Sequence, residues 1–534
     1  MIVQTDKGQI EGVREGNVTV FRGVPFAAPP TGGNRWRAPQ PATAWPGVRK
    51  ADKFGPACVQ PVFDSMEGSE PVAEMNEDCL YLNVWTPDTA GGPIGAHPVM
   101  VWVHGGAFKL GEGRSLMYSG GPLAHKGAVV VTFNYRLGYL GFFSHAELDR
   151  EQPGGPVNFG LLDVIAALQW VKTNIAKLGG DPNNVTVFGQ SAGAVSVLSL
   201  MVSPLATGLF DKAIAHSAYA IPEHTRDHAR AVCTEVAQRA WGTPPGATLA
   251  ELRAVPAEVF ARKTYPSADG SPGNEPGTEP IRSLAPCAIH GDPVLPGKVR
   301  ARFDAGDQLE VPLLIGSNDD EQSVLRAFGM DPAKIYDVMA ASPEGRAALD
   351  ALDPMYRADP DLEPGAVDDH ARFAGLILRD ALFTMQARWI ATRQARQKLD
   401  AFRYFFTYVP EALRPDRPHG VGHGGEIVFP FNTGDLAYDT QGKLTERDRA
   451  MADQVSTCWL TFARTGKPAA PAPGVEWKAH TLGQLLGADH IVVLGDTITA
   501  RKNDFKIQRL DFFATFYPTI EKIIEDTLAG GGAG

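Results

Sequence analysis

The segment Gly189-Gln-Ser-Ala-Gly193 places Ser191 in the pattern Gly-x-Ser-x-Gly. That pattern is typical of a nucleophilic hydroxyl presented on a sharp turn between a strand and a helix. The context agrees, because residues 184–188 predict a buried strand and residues 192–201 predict a helix. An ordinary glycine-rich turn is the alternative, since so short a pattern also arises by chance.

A second glycine-rich segment, His104-Gly-Gly-Ala-Phe108, follows another short apolar run at residues 99–103. A serine that attacks a carbonyl needs backbone N–H donors directed at the developing oxyanion, and glycines let the backbone come close to a substrate. We therefore expect donors from Gly105 and Gly106, with a third from Ala192. A structural glycine turn is again the alternative.

A nucleophilic serine also needs a base, and the base needs a carboxylate that orients it. On this kind of turn the chain order is serine, acid, histidine. The segment Gly316-Ser-Asn-Asp-Asp-Glu321 offers three carboxylates, and residue types alone leave the choice among them open. The later histidines are His370, His419, His423, His480 and His490. Of these, His423 and His419 rank close together, because His423 lies in a glycine-flanked loop.

The elements that must position these residues alternate between strand and helix. Apolar runs predict strands at residues 80–85, 99–103, 128–133, 184–188, 212–216, 311–316 and 401–408. Helical spacing or composition predicts helices at residues 161–176, 192–201, 322–398, 446–464 and 504–524. An antiparallel hairpin is expected at residues 9–21, mostly loop at 25–61 and less regular structure at 232–291. The alternation predicts an α/β fold with a parallel sheet and crossover helices.

The composition excludes several classes of protein. The chain has 534 residues, of which 44% are hydrophobic and 21% charged, as in ordinary globular proteins. Its formal net charge of −11 argues against a nucleic-acid-binding protein and against docking on anionic membranes. No apolar run is long enough for a transmembrane helix. The five cysteines show no Cys-x-x-Cys spacing, and we expect neither a metal nor another cofactor.

Over residues 3–517 the sequence resembles the type-B carboxylesterase family of α/β-hydrolases, which includes cholinesterases and bacterial para-nitrobenzyl esterases. Besides the segments around His104 and Ser191, the resemblance is carried by the stretches at residues 21–26, 33–39, 77–84, 134–138, 158–163, 180–182 and 459–466. It implies a large, mostly parallel sheet flanked by helices, with helical insertions that form a gorge. It also implies one domain over residues 1–528. The glycine-rich composition of residues 529–534 predicts a flexible tail.

The resemblance also selects the acid and the base. The family's acid is a glutamate in a segment that ends Asp-Glu-Gly, which falls on Glu321, with Gln322 in place of the glycine. Its base lies in a His-Gly-x-Glu segment, which falls on His423 and makes Glu426 a supporting residue. A second supporting residue of the family falls on Ser217.

Four further residues, Arg35 with Glu77 and Arg136 with Asp163, resemble the family's structural ion pairs. Cys58 and Cys79 fall where many relatives have a disulfide, so the resemblance implies that these two could pair. The loop between them contains no tryptophan, whereas relatives that bind choline esters carry one there, so a cholinesterase is not expected.

The family's acyl pocket is built just before the segment that here reads Ala288-Ile-His-Gly291. The residues ahead of it, Ile281, Arg282 and Ser283, are not aromatic. We therefore expect a roomier or more polar acyl side than in cholinesterases. Arg282 could pair with a substrate carboxylate, although a solvated arginine is the more ordinary interpretation.

The function that the resemblance implies is a serine hydrolase that cleaves carboxylic esters through an acyl-enzyme. The alternatives are a specialised hydrolase of a polyester, carbamate or toxin ester, and a non-catalytic binding protein, which is disfavoured because such relatives lose the nucleophile. The expected partner is a small-molecule ester, and the expected state is a monomer or weak homo-oligomer. The expected compartment is secreted or periplasmic if a leader was removed, and cytoplasmic otherwise.

Overall fold

The structure is a computed structural model that describes residues 1–61, 74–88, 97–220, 223–261, 287–328, 331–481 and 489–528. The strands in these residues are β1 (Ile2–Gln4), β2 (Gln9–Glu15), β3 (Val18–Pro25), β4 (Val48–Ala51), β5 (Tyr81–Pro87), β6 (His97–Val103), β7 (Val129–Phe133), β8 (Gly180–Gln190), β9 (Lys212–His216), β10 (His224–Thr225), β11 (Ile289–His290), β12 (Leu313–Asn318), β13 (Ala401–Phe406), β14 (His490–Leu494) and β15 (Thr499–Lys502).

The α-helices are α1 (Gly121–His125), α2 (Gly138–Gly141), α3 (Ala146–Glu151), α4 (Phe159–Asn174), α5 (Ala192–Met201), α6 (Arg226–Arg239), α7 (Leu249–Arg253), α8 (Val299–Ala305), α9 (Pro332–Ala341), α10 (Pro343–Arg357), α11 (His370–Arg379), α12 (Met385–Arg396), α13 (Val428–Phe431), α14 (Glu446–Thr465) and α15 (Ile507–Leu528). A π-helical turn, Asp380–Thr384, joins α11 to α12. No helix among the described residues has the length and apolar character needed to cross a membrane.

One large sheet runs through the molecule in the order β1-β2-β3-β5-β7-β6-β8-β9-β12-β13-β14-β15, with β4 beside β2. The strands from β7 to β14 in this order are parallel, and the outer pairs β1–β2, β2–β3, β3–β5, β5–β7 and β14–β15 are antiparallel. The mostly parallel α/β sheet and the hairpin β2–β3 confirm two predictions from the sequence. A small parallel pair, β10–β11, stands apart from it.

The central strands β6, β7 and β13 consist mostly of buried apolar residues because helices cover both faces of the sheet. Successive side chains of β6 alternate between the two faces, so that Val101 packs in one core cluster and Trp102 in the other. Helices α4 and α5 contribute to the first cluster, and α1, α13 and α14 to the second. The carboxyl ends of the parallel strands meet at one edge, where ligands usually bind in such sheets.

The irregular stretch expected at residues 232–291 was partly wrong, because its described part includes α7 and most of α6. Helix α6 is largely polar, and its buried residues form only a narrow stripe, namely Ala229, Cys233, Val236 and Ala237. The terminal strands β14 and β15 were not predicted either. The single-domain organisation over residues 1–528 stays a prediction, and the tail 529–534 lies outside the described residues.

Candidate active site

Ser191 lies on the turn between β8 and α5, at the carboxyl edge of the sheet. Its backbone has φ 57° and ψ −125°, a conformation that non-glycine residues rarely adopt and that is typical of a nucleophile elbow. A Cβ on Gly193 would come within 2.0 Å of the Val103 carbonyl oxygen, and one on Gly189 within 2.7 Å of the same atom. Both glycines are therefore required for the turn to pack against the end of β6.

The loop after β6 lies beside this turn. A Cβ on Gly105 would be 3.2 Å from the Ser191 Cβ, so the Gly105 backbone closely approaches the serine. Gly106 has φ 106°, and its carbonyl accepts hydrogen bonds from the N–H groups of Lys109 and Leu110. Within the described part of the chain, the N–H groups of Gly105, Gly106 and Ala192 donate to no protein acceptor. Such donors remain available to an oxyanion.

His104 anchors this loop. Its ring stacks on Tyr135 with a centroid distance of 4.4 Å, and the Tyr135 hydroxyl donates to the His104 carbonyl oxygen at 2.9 Å. Burial lowers the pKa of His104 to about 4, so its imidazole is neutral at physiological pH. The sequence pattern identified the two glycines but not this anchor.

Glu321 is the carboxylate that contacts His423. Its Oε2 lies 2.5 Å from His423 Nδ1, and its Oε1 accepts the Asn318 N–H at 2.8 Å. The Glu321 side chain is fully buried and that of His423 is 8% exposed. A buried, charge-assisted contact of this kind fixes the orientation of the imidazole.

The other two acidic residues of this segment, Asp319 and Asp320, join it to neighbouring segments. Asp319 Oδ1 accepts the Val421 N–H at 2.6 Å, and Asp320 Oδ1 lies 3.5 Å from Arg372 Nη1. The backbone of Asp320 forms a bridge with Gly422. The segment that carries the acid is therefore joined to the segment that carries His423.

The remaining candidate histidines lie elsewhere. His419 is 48% exposed and faces Glu363 at 3.6 Å, and His370 stacks on Tyr336. His480 lies near Asp489, with the two side chains 3.5 Å apart. His490 is on β14 and is only partly buried.

A group of buried polar residues lies behind Glu321 and His423. Glu426 Oε2 accepts the Asn318 side-chain N–H at 2.5 Å, and its Oε1 is 3.8 Å from His216 Nδ1. Burial, reinforced by the Glu321 carboxylate, raises the pKa of Glu426 to about 7. His216 accepts the Trp459 indole N–H at 3.0 Å, and burial lowers its pKa to about 3.

Ser217, the other supporting residue, follows His216 directly and is fully buried with φ 51°. Its backbone N–H donates to the Gly316 carbonyl at 2.8 Å. Its hydroxyl finds no hydrogen-bond partner among the described residues. The structure therefore places Ser217 beside the strand that leads to the acid.

Gln322 occupies the position of the family's glycine, and the fold accommodates it. Its side-chain N–H donates to Asp320 Oδ1 at 2.9 Å. Its Oε1 lies 1.7 Å from the position that a Cβ on Gly375 would occupy, so a larger residue at 375 in α11 would require the Gln322 amide to move.

Two residues near His423 were not singled out from the sequence. The Phe383 ring, on the π-helical turn, lies 5.4 Å from the His423 ring. Gln190, directly before Ser191, has its side-chain nitrogen 3.1 Å from His423 Nε2. The second contact joins residues 233 positions apart, so no local sequence signal could have indicated it.

The expected ion pairs are present and buried. Arg35 makes a bidentate contact with Glu77 at 2.5 and 2.6 Å, and Arg136 makes one with Asp163 at 2.8 and 2.7 Å. Neither pair contacts Ser191 or His423 in the hydrogen bonds of the described residues. Both pairs have the character of structural contacts.

Cys58 and Cys79 are both buried, free thiols. A hydrogen bond to Cys58 and burial together raise the pKa of the Cys79 thiol well above its ordinary value. The two side chains are thus neighbours, and the disulfide stays a prediction. The proposed acyl-pocket residues Ile281, Arg282 and Ser283 lie outside the described residues.

His224 and His228 are four positions apart, with ring centroids separated by 4.7 Å. Such spacing occurs in metal sites, but a site also needs further ligands. The described ranges contain no group of three or more potential metal ligands.

The comparisons with known proteins agree with this geometry. Fumonisin B1 esterase of Sphingopyxis macrogoltabida is 38% identical over 488 residues, which cover 88% of this chain and 82% of that protein. Para-nitrobenzyl esterase of Bacillus subtilis (strain 168) is 34% identical over 483 residues, covering 90% and 92%. A solved PNB esterase structure superposes with a TM-score of 0.75 at 31% identity, covering 95% of this chain and 99% of that one.

A thermophilic PNB esterase superposes with a TM-score of 0.77 at the same identity and coverage. The family model described as "Carboxylesterase family" matches residues 1–486. The chain therefore belongs to the carboxylesterase family and is a serine hydrolase of carboxylic esters.

Proposed function

We propose that Ser191, His423 and Glu321 are the catalytic triad of this esterase. The observation that carries the proposal is the contact of Glu321 with His423 Nδ1, with the opposite nitrogen of the ring facing the end of β8, one residue before Ser191. Glu321 holds the proton on Nδ1, which leaves Nε2 unprotonated and able to act as a base.

The reaction proceeds in two steps of acyl transfer. His423 Nε2 takes the Ser191 hydroxyl proton as Oγ bonds to the ester carbonyl carbon, and Glu321 stabilises the imidazolium. The N–H groups of Gly105, Gly106 and Ala192 donate to the oxyanion. The imidazolium then protonates the leaving alcohol, and a water molecule, activated in the same way, releases the acid.

Replacement of the nucleophile tests the triad. We expect Ser191→Ala to lower kcat on para-nitrophenyl esters by about 10⁴-fold or more, because it removes the hydroxyl that forms the acyl-enzyme. A fluorophosphonate probe should label the parent protein and leave Ser191→Ala unlabelled. Ser203→Ala, which removes another buried hydroxyl, serves as the control. Undiminished turnover or labelling in Ser191→Ala would contradict the assignment.

A more specialised substrate is a second candidate. The identity of 38% to fumonisin B1 esterase supports hydrolysis of fumonisin B1 by this chain. Mass spectrometry of fumonisin B1 incubated with the parent protein and with Ser191→Ala would show the release of acid only with the parent. The same experiment with acetate, butyrate, octanoate and dicarboxylate esters tests the roomier acyl side. A strict preference for acetate would contradict that expectation.

We also propose that the enzyme works as a monomer or a weak homo-oligomer. The small-molecule nature of the ester substrates on which the family acts supports this proposal, since such substrates require no second subunit. Light scattering after size-exclusion chromatography, at several protein concentrations, measures this directly. A stable oligomer at nanomolar concentration would contradict the proposal.

A further inference from the structure

The side chain of Gln190 contacts the nitrogen of His423 that must accept the serine proton. Gln190 is the last residue of β8 and is 5% exposed. Its Nε2 lies 3.1 Å from His423 Nε2. An amide nitrogen only donates hydrogen bonds, so the imidazole nitrogen accepts and the ring carries its proton on Nδ1.

For the neutral imidazole, the opposite orientation of the amide is incompatible with Glu321. If Gln190 Oε1 faced His423, the single proton of the neutral ring would have to be on Nε2, since only the imidazolium can donate to both side chains. Nδ1 would then be an unprotonated acceptor at 2.5 Å from a carboxylate oxygen, and two acceptors cannot share a hydrogen bond. Gln190 and Glu321 therefore hold the neutral imidazole in a single tautomer from its two sides.

Gln190 also lies where the loops of the site meet. A Cβ on Gly105 would come within 2.9 Å of Gln190 Oε1, and one on Gly424 within 3.5 Å of Gln190 Nε2. The side chain thus occupies the space between the glycine loop after β6 and the loop that carries His423. Its amide is positioned by its surroundings as well as by the histidine.

We propose that Gln190 is a positioning residue for the catalytic base: in the resting enzyme its amide N–H donates to Nε2 of His423 and keeps that nitrogen unprotonated at the end of β8, until the Ser191 hydroxyl replaces the amide as the donor. The inference rests on the proposed triad and adds a function to it. A donor to the neutral imidazole favours that form over the imidazolium, which cannot accept the bond. Gln190 therefore extends activity toward lower pH.

The charged and titratable groups that face His423 from the packed elements are few in the described residues. Glu321 contacts Nδ1, and Glu426 lies in the same loop. The acid segment also carries Asp319 and Asp320, whose carboxylates are directed at the Val421 N–H and at Arg372. His104 in the glycine loop is neutral, as described above. All these groups are present in both the parent and the variants, so a difference between their pH profiles arises from the side chain at residue 190.

The test is the pH dependence of kcat/KM in two variants. Gln190→Met keeps the length and removes the donor, and we expect the acid limb to move to higher pH by about 0.5 unit. Gln190→Glu adds a carboxylate that favours the imidazolium, and we expect a shift of about 1 unit or more in the same direction. Gln40→Glu adds the same charge on the exposed surface and should leave the profile unchanged.

Either variant overturns the inference if its acid limb coincides with that of the parent. Far-ultraviolet circular dichroism and thermal unfolding identify a variant that fails to fold, in which case the other variant decides. A purely structural role would lower the whole profile without moving its acid limb. Failure of the triad itself is distinguishable, because it appears as undiminished turnover in Ser191→Ala.

Discussion

Glu321 divides its two oxygens between the imidazole of His423 and the backbone N–H of Asn318. We expect Glu321→Gln to lower kcat by about 10³- to 10⁴-fold, because a side-chain amide that donates to Nδ1 would favour the tautomer with the proton on Nε2. The measurement is kcat at saturating ester, well above the acid limb of the profile. Glu310→Gln, at an exposed position, is the matched control and should leave kcat unchanged.

Glu426 makes stability depend on pH through its raised pKa. In the folded protein this pKa is about 7, against an ordinary value of 4.5, so between these values the folded state holds a proton that the unfolded state has lost. The proton on Glu426 therefore contributes about 3 kcal/mol to the free energy of unfolding. This contribution is fully present below pH 4.5 and is lost as the pH rises through 7. Glu426→Gln removes this titration and keeps an oxygen for the Asn318 bond.

The expected result is that Glu426→Gln gains stability relative to the parent as the pH is raised from 5 to 8. Urea unfolding of both proteins at several pH values measures the difference. Glu476→Gln, at an exposed position, should follow the parent at every pH. If the free energies of unfolding of Glu426→Gln and the parent changed with pH in the same way, the carboxyl at residue 426 would be ionised in the folded protein already at pH 5.

At the scale of single residues, the sequence identifies candidate catalytic residues better than it predicts the contacts between them. The glycine patterns around Ser191 and His104 are local, and they identify the turn and the loop without further information. The choice of Glu321 over Asp319 and Asp320 depends on backbone pairing between segments about a hundred positions apart, as in the contact of Asp319 with Val421. Residue types alone therefore left three candidates for the catalytic acid, and from the sequence only the family resemblance selected one of them.

The acid segment and α11 are coupled through Gln322 and Gly375. A methyl group at residue 375 would meet the end of the flexible Gln322 side chain, so we expect Gly375→Ala to displace the Gln322 amide from Asp320 and to lower kcat and thermal stability modestly. Gln322→Gly in the same chain removes the obstacle, and the double variant should recover most of the loss. Enzyme assays and thermal unfolding of the three variants measure this coupling.

Gly121→Ala is the control for the helical glycine, because a Cβ there would meet only the Ser119 hydroxyl at 3.8 Å. It should leave kcat unchanged and alter stability little. Additive effects of the two substitutions at residues 322 and 375 would contradict the coupling.

Element prediction succeeded where one physical signal dominates. The continuous apolar runs of β6, β7 and β8 reflect burial on both faces, and α5 was predicted with the bounds that the structure has. The signal fails for α6, whose polar face conceals a narrow buried stripe, and for β14, in which His490 and Val493 are only partly buried. The π-helical turn that carries Phe383 has no sequence signature, since it differs from an α-helix only in hydrogen bonding.

At the scale of the whole molecule, a buried ionic network joins the C-terminal helix α15 to the helices that follow the acid segment. Arg509 contacts Asp359 at 2.7 Å and Asp380 at 2.6 Å, and Lys506 contacts Asp359 at 2.7 Å. The nearby cations Arg379 and Arg509 hold the pKa of Asp380 well below its ordinary value despite burial. The contact of Lys506 with Asp359 spans 147 positions, so its charges cannot be paired from the sequence.

This network should contribute strongly to stability, because removing one member leaves a buried charge without its partner. Arg509 is 2% exposed, and we expect Arg509→Met to lower the free energy of unfolding by about 3 to 5 kcal/mol. Arg447→Met, which removes an arginine that is 49% exposed, should cost little, because solvent already screens its pairs. Urea unfolding at pH 7 measures both. An equal effect of the two substitutions would mean that α15 is held by its apolar face alone.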